Sequence, residues 1–267
     1  MRFEVNGAEV FAATGGKPFD PALPALMFVH GAGFDHSVWQ QQTRYFAHHG
    51  YAVLAVDLPG HGKSAGAPVP DIAGLGDWIA AAIAASGAAS ASVVGHSMGA
   101  LAALDAAARH PDAVRSLALL GVAAKMPVHP ELLDAADAND HKAIELIAGW
   151  GHGARAQRGG NIASGIWLIQ AGTRLLERAE PGVLANDLRA SDAYRDALER
   201  AADVACRTLC LLGGQDRMTP VKAAAPLVAA LPDVAQTVLP DAGHMMMVEA
   251  PGATLDALAG FFAGNEE

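Results

Sequence analysis

Cysteine is scarce in this sequence, and basic residues are outnumbered by acidic ones. Cys206 and Cys210 are its only cysteines, too few for a disulfide framework. They stand four positions apart at the start of an apolar run in which both face one way. A bridge there requires bending the strand, and no neighbouring His or Cys completes a zinc set. Two small core residues are the simpler reading. Lys and Arg total 18 against 28 Asp and Glu, a formal charge of −10, and no basic run exceeds a pair. Nucleic acid and anionic membrane surfaces attract basic patches and are disfavoured as partners. A small-molecule substrate is expected. Neutral or weakly charged ones fit the global balance best, although a local site can oppose it. Oligomeric state is not legible.

Long apolar runs are missing as well. Met1 to Phe11, MRFEVNGAEVF, interleaves charged and apolar residues and lacks the unbroken core of a secretory signal. The longest Ala-rich stretch, Ile79 to Val94, is interrupted by Ser86, Gly87, Ser90 and Ser92, which reads as helix, turn and strand rather than a membrane span. A soluble, cytoplasmic protein is expected. With 52% apolar and 17% charged residues over 267 positions, burial can outweigh chain entropy, so one large domain with a single core is expected.

Phe3 to Phe11 alternates apolar and polar residues around Asn6-Gly7, the dipeptide favoured in two-residue type I′ turns, and predicts a β-hairpin. Six apolar runs follow: Ala25 to Val29, Tyr51 to Val56, Ala91 to Val94, Val114 to Leu120, Thr208 to Leu212 and Ala235 to Leu239. Continuous runs mean burial on both faces, and the segments between them carry helical spacing. The class is α/β, a mostly parallel eight-stranded sheet flanked by helices. Between Val122 and Ala205 the rhythm changes. Helix-like stretches lie around Pro130 to Trp150, Ile162 to Arg178 and Ser191 to Val204, with no convincing strand. The expected organisation is a core of residues 1–121 and 206–267 with a helical cap insertion, 122–205, over the ligand crevice of the sheet.

The strongest chemical signal is Gly95-His-Ser-Met-Gly99, at the end of an apolar run and before the helix-forming Leu101 to Arg109. This is a G-x-S-x-G elbow, in which a serine on a sharp turn presents its hydroxyl only if positions two before and two after it lack bulk. In isolation such a serine could instead be a helix N-cap. A neutral hydroxyl needs a base, and imidazole, with a pKa of about 6.5, suits that work. Of eleven histidines, His244 lies in a loop just past the last strand. His30 and His61 sit in glycine turns and His96 precedes the serine, where it should point away; structural hydrogen bonding is the expectation for all three. His129, His141 and His152 are expected to be solvated. The base needs an orienting acid, and Asp216 follows the strand at Thr208, 28 positions before His244. Asp241 lies nearer but more plausibly shapes its own turn.

His30-Gly-Ala-Gly33, Asp57-Leu-Pro-Gly-His-Gly-Lys-Ser64, Gly95 to Gly99, Gly214-Gln-Asp216 and Gly243-His244 together resemble the α/β-hydrolase superfamily, in its esterase, lipase and C–C-hydrolase-like branch with a helical cap. The resemblance implies Ser97 as nucleophile, His244 as base and Asp216 as its partner. It implies oxyanion donors at the backbone N–H groups of Met98 and Ala32, and no cofactor or metal. The cap carries no matching motif, so substrate choice stays open. Met126, Trp150 and Trp167 are candidate pocket residues, with Met245, which opens a run of three methionines suited to an adaptable apolar pocket. Relatives that cleave C–C bonds often carry an aromatic after the base histidine; here Met245 stands in that place.

Three functions fit. The first is hydrolysis of a small or medium carboxylic ester through an acyl-enzyme. The second is cleavage of a C–C bond, enol-lactone or amide by the same triad. The third is a ligand receptor that retains the triad.

Overall fold

A computed structural model describes residues 1–160 and 166–263. Its eight strands are β1 (Arg2–Val5), β2 (Ala8–Ala13), β3 (Ala25–Val29), β4 (Ala52–Val56), β5 (Ala91–His96), β6 (Val114–Leu120), β7 (Thr208–Gly213) and β8 (Val234–Leu239). The helices that matter to the site are α1 (Gln40–Ala47), α2 (Ile72–Ala85), α3 (Met98–Arg109), α4 (Pro130–Asp137), α5 (Lys142–Trp150), α6 (Ala154–Gln157), α7 (Leu168–Leu176), α8 (Val183–Ala193) and α9 (Ala197–Asp203). After β7 come α10 (Val221–Ala230), α11 (Met246–Glu249) and α12 (Pro251–Ala263).

The strands form one sheet in the order β1-β2-β4-β3-β5-β6-β7-β8. The first two pair as an antiparallel hairpin, β2 joins β4 antiparallel, and every later pairing is parallel. The hairpin forms at the predicted dipeptide, where Asn6 and Gly7 have φ of 52° and 81°, as a type I′ turn demands. Strands β3, β4, β5 and β7 are buried throughout, as their continuous apolar runs require. In contrast, β8 is largely exposed or half-buried: it is the edge of the sheet and has a neighbour on one side only.

Alternate side chains feed two cores, one on each face. Met27 and Val29 join Ile79, Leu101 and Leu104 of α2 and α3, whereas Leu26 and Phe28 join Phe46 of α1 and Leu258 and Phe262 of α12. Cys210 is buried in the first of these cores, with the half-buried Cys206 packed against it just before β7; both thiols are free. Between β6 and β7 lie α4 to α9 and, among the described residues, no strand. The helix-like stretch beginning at Ile162 becomes α7 from Leu168 onward, and positions 162–165 lie outside the described residues. No described helix is long and apolar enough to cross a membrane.

The parallel register aligns the ends of the strands. Val29 pairs with both Val56 and Gly95, and Gly213 pairs with Leu239. The loops that follow β3, β5, β7 and β8 therefore leave from one edge of the sheet, where open α/β sheets gather their ligand groups.

Candidate active site

Ser97 occupies the turn between β5 and α3 with φ 55° and ψ −117°, a conformation that costs a non-glycine residue of the order of 1–3 kcal/mol. The turn is held from both sides. Ser97 N donates to Leu120 O at 2.9 Å, and its own carbonyl accepts from Ala100 N at 2.9 Å. A Cβ on Gly95 would collide with the carbonyl of Gly99, and one on Gly99 with that of His30. The two glycines let the helix close onto the strands while the serine stays at the apex. Ser97 is 9% exposed. As the first residue of α3, Met98 has an N–H without an intrahelical acceptor.

His244 and Asp216 meet across the loops after β8 and β7. Nδ1 of His244 lies 2.8 Å from Oδ2 of Asp216. That oxygen also accepts from Thr219 Oγ1 at 2.7 Å, while Oδ1 accepts from the backbone N–H groups of Met218 and Thr219, each at 2.8 Å. Burial raises the Asp216 carboxyl pKa, but the attraction and hydrogen bonds of His244 and Thr219 outweigh it and hold the group well below the usual carboxylate range. An ionised Asp216 accepts from Nδ1–H, a contact that in the neutral ring puts the lone pair on Nε2. Thr219 was not singled out from sequence. Its signal is the Asp-x-x-Thr spacing, which lets a hydroxyl return to the carboxylate that starts the turn.

His96 does not turn away. Its Nε2–H donates to the carbonyl of His244 at 3.0 Å, and its ring lines the same cavity as Ser97 and His244. Burial and the neighbouring His244 push its pKa well down, so the ring is neutral and Nδ1 is an acceptor without a partner. His30 is neutral as well: Nδ1–H donates to Gly31 O at 2.9 Å and Nε2 accepts from Leu58 N at 3.1 Å. Burial, then His61, lowers its pKa to about 4. Beyond it, His61 and Asp187 of α8 form a buried pair at 2.8 Å, and the same Oδ2 accepts from Gly33 N at 2.9 Å. One carboxylate thus ties the loop after β3 to a helix between β6 and β7.

His152, expected in solvent, is 2% exposed. The reason is local: residues 151–153 fold under the His244 loop, with Met245 N donating to Gly151 O at 3.1 Å and Gly153 N to Glu249 Oε2 at 2.8 Å. His152 Nδ1–H donates to Ala148 O at 2.9 Å, and burial lowers its pKa. His129 and His141 are exposed as expected, although His129 also borders the cavity.

A cavity of about 300 Å³ lies over Ser97 and His244. Ala32, Met126, Trp150 and Met245 line it, together with Thr219 and Arg217. Trp167 does not: it is 59% exposed at the N-cap of α7, a helix that buries Leu168, Thr173 and Leu176 and leaves the tryptophan outside. For a metal, Asp35, His36 and Asp57 are the one candidate cluster among the described residues. Its groups are already used within the chain. Asp57 accepts from His36 N, His36 Nδ1 and Lys63 N, and Asp35 caps Ser37.

A sequence profile of the alpha/beta hydrolase family matches residues 26–257. The chain is 31% identical over 229 residues to a pimeloyl-[acyl-carrier protein] methyl ester esterase of Chromobacterium violaceum, covering 83% of this chain and 87% of that one. It is 29% identical over 263 residues to a 2-(acetamidomethylene)succinate hydrolase of Mesorhizobium japonicum, covering 89% and 87%. Among solved structures, the enol-lactonase from Burkholderia xenovorans superposes with a TM-score of 0.87 at 22% identity, covering 98% of this chain and all of that one. An esterase from Thermogutta terrifontis gives 0.86 at 20% identity, covering all of this chain and 99% of that one.

Proposed function

The chain belongs to the alpha/beta hydrolase family, and from that premise we propose that it is a serine hydrolase that cleaves a carboxylic ester of a small or medium substrate through an acyl-enzyme. One observation carries the reading. A serine held at positive φ shares a cavity with a histidine whose Nδ1 is fixed by a buried, ionised aspartate.

In this scheme Ser97 Oγ attacks the ester carbonyl and its proton passes to Nε2 of His244, while Asp216 stabilises the imidazolium. The N–H groups of Ala32 and Met98 receive the oxyanion. Collapse expels the alcohol, protonated by His244. Water, deprotonated by the same imidazole, then adds to the acyl carbonyl and releases the acid with Ser97 restored. Residues 122–205 act as a cap over a core of 1–121 and 206–267, supplying Met126 and Trp150 to the cavity wall.

The relatives whose printed activities are hydrolyses support the reaction class. The apolar lining supports an acyl group as the part buried. The test is intact mass after treatment with a fluorophosphonate, alongside turnover of p-nitrophenyl esters from acetyl to octanoyl, with Ser97→Ala as control. A single adduct lost in Ser97→Ala, together with turnover that the substitution abolishes while the fold is retained, is the expected result. Labelling without turnover would favour a different bond or a receptor. Turnover surviving in Ser97→Ala would remove the serine from the mechanism.

A further inference from the structure

The cavity over Ser97 has a charge that the protein as a whole does not. The chain carries −10, yet the residues lining this cavity include no Asp or Glu and one permanent cation, Arg217. Arg217 follows Asp216 directly, but that carboxylate is saturated: Oδ1 accepts two backbone N–H groups, and Oδ2 accepts Thr219 Oγ1 and His244 Nδ1. Among the described residues, Arg217 has no ion pair or hydrogen bond of its own. It is exposed, which spares it the desolvation that an unpaired buried cation would suffer.

A second donor borders the same space. His129 accepts from Glu131 N through Nδ1, so in its neutral form the proton is on Nε2, and its ring meets Trp150 edge-on at 5.5 Å. Most of the other lining groups are apolar or belong to the proposed machinery. An unpaired planar guanidinium beside a pocket wall that includes Met126, Trp150 and Met245 is suited to a group that is anionic, planar and able to accept two parallel N–H bonds. A single cation matches a singly charged carboxylate better than a phosphate dianion.

We propose that Arg217 is the recognition residue for an acyl group ending in a second carboxylate, making the substrate class the half-esters of short dicarboxylic acids. This rests on the serine-hydrolase reading. The scissile carbonyl lies at Ser97, the methylene chain along Met126, Trp150 and Met245, and the free carboxylate at the Arg217 side of the cavity. The protein's overall negative charge weakens long-range attraction for such substrates, so selectivity comes from the local contact and is screened by salt.

The test compares the 4-nitrophenyl half-ester of glutarate with 4-nitrophenyl valerate, a neutral ester of similar length, in the wild-type protein, Arg217→Gln and Arg217→Lys. Wild-type kcat/KM is expected to favour the half-ester. In Arg217→Gln the ratio of the two kcat/KM values should fall by about 10- to 100-fold, mainly through KM, as expected for one charge-assisted pair. Arg217→Lys should lie between, because it keeps the charge and loses the fork. A wild-type preference for valerate, or an equal change for both esters in Arg217→Gln, overturns the inference while leaving the serine hydrolase standing. Calorimetric titration of glutarate into Ser97→Ala, with Arg or Gln at position 217, decides the same point without turnover. Binding that vanishes with Arg217→Gln supports the carboxylate site even if neither ester is cleaved, and binding that is absent or indifferent to position 217 rejects it.

Discussion

Both ring nitrogens of His61 face oxygen acceptors, Nδ1 the carbonyl of Pro59 at 3.0 Å and Nε2 the Oδ2 of Asp187 at 2.8 Å. Only a protonated ring donates to both at once, and it does so buried against a carboxylate. Burial opposes that charge, but the attraction and hydrogen bond of Asp187 prevail and raise the His61 pKa. The same Asp187 oxygen takes the N–H of Gly33, next to the proposed oxyanion donor Ala32. One carboxylate therefore holds both the buried pair and the loop that carries the proposed oxyanion donor.

Asp187→Ala is expected to destabilise the protein by about 3–5 kcal/mol at pH 6, the usual result of stranding one member of a buried pair, and to lower kcat by loosening residues 31–34. A raised folded pKa gives His61 a stabilising contribution that is complete below its ordinary value of about 6.5 and is lost as pH climbs through the raised one. Urea midpoints of the wild type should drop on the alkaline side, and those of Asp187→Asn should drop less. Identical slopes for the two proteins would separate the pair from the pH response.

His30 works in the opposite window. Its neutral ring donates to Gly31 and accepts from Leu58, and the second role ends when Nε2 is protonated. With a folded pKa of about 4, it contributes stability above about pH 6.5 that is lost as pH falls toward 4, on the order of 3 kcal/mol in all. His30→Gln should flatten the acid limb of a plot of unfolding free energy against pH. An unchanged limb would assign the acid loss to other groups.

Ala32→Pro deletes a backbone donor without touching any side-chain catalyst. A loss of about 10²-fold or more in kcat, with the thermal midpoint nearly retained, is expected if that N–H receives the oxyanion. Wild-type kcat in a folded variant would move the donor elsewhere.

Trp150→Ala should enlarge the cavity on its α5 side and shift ester preference toward longer chains, read as a rise in kcat/KM for octanoyl relative to acetyl esters. A uniform change along the series would make Trp150 a packing residue for α5 rather than a wall of the pocket.

The sheet was legible in the sequence because its physical signals are short-range. Asn6-Gly7 set the hairpin, and continuous apolar runs marked the buried strands to within two residues at each end. The exception in kind is β8, whose Ala-Gln-Thr-Val sequence fits an edge better than a buried strand. The Asp216–His244 contact followed from loop order, because parallel strands deliver their following loops to one edge. The helices between β6 and β7 were harder. Of the six described helices, α4, α5, α7 and α9 fall within the three expected stretches, whereas α6 and most of α8 lie outside them, and breaks such as Asn139-Asp140 are decided by caps and packing. Burial of His152 depends on residues 151–153 meeting the His244 loop, and exposure of Trp167 on which side of α7 is buried, tertiary choices that no local period encodes. Thr219 and Arg217 were in view within the Asp216 turn, but their partners, or lack of them, appear only in three dimensions.

The pairing of β6 with β7, Leu117 against Thr208, closes across the whole helical excursion between them. Closing so long a loop is entropically unfavourable, and such non-local pairing slows folding. During synthesis Ser97 leaves the ribosome well before Asp216 and His244, and the proposed base reaches it only once β7 and β8 have docked. A nascent or half-folded chain therefore carries Ser97 without the proposed relay. Recovery of hydrolysis during refolding would time the last strands joining the sheet.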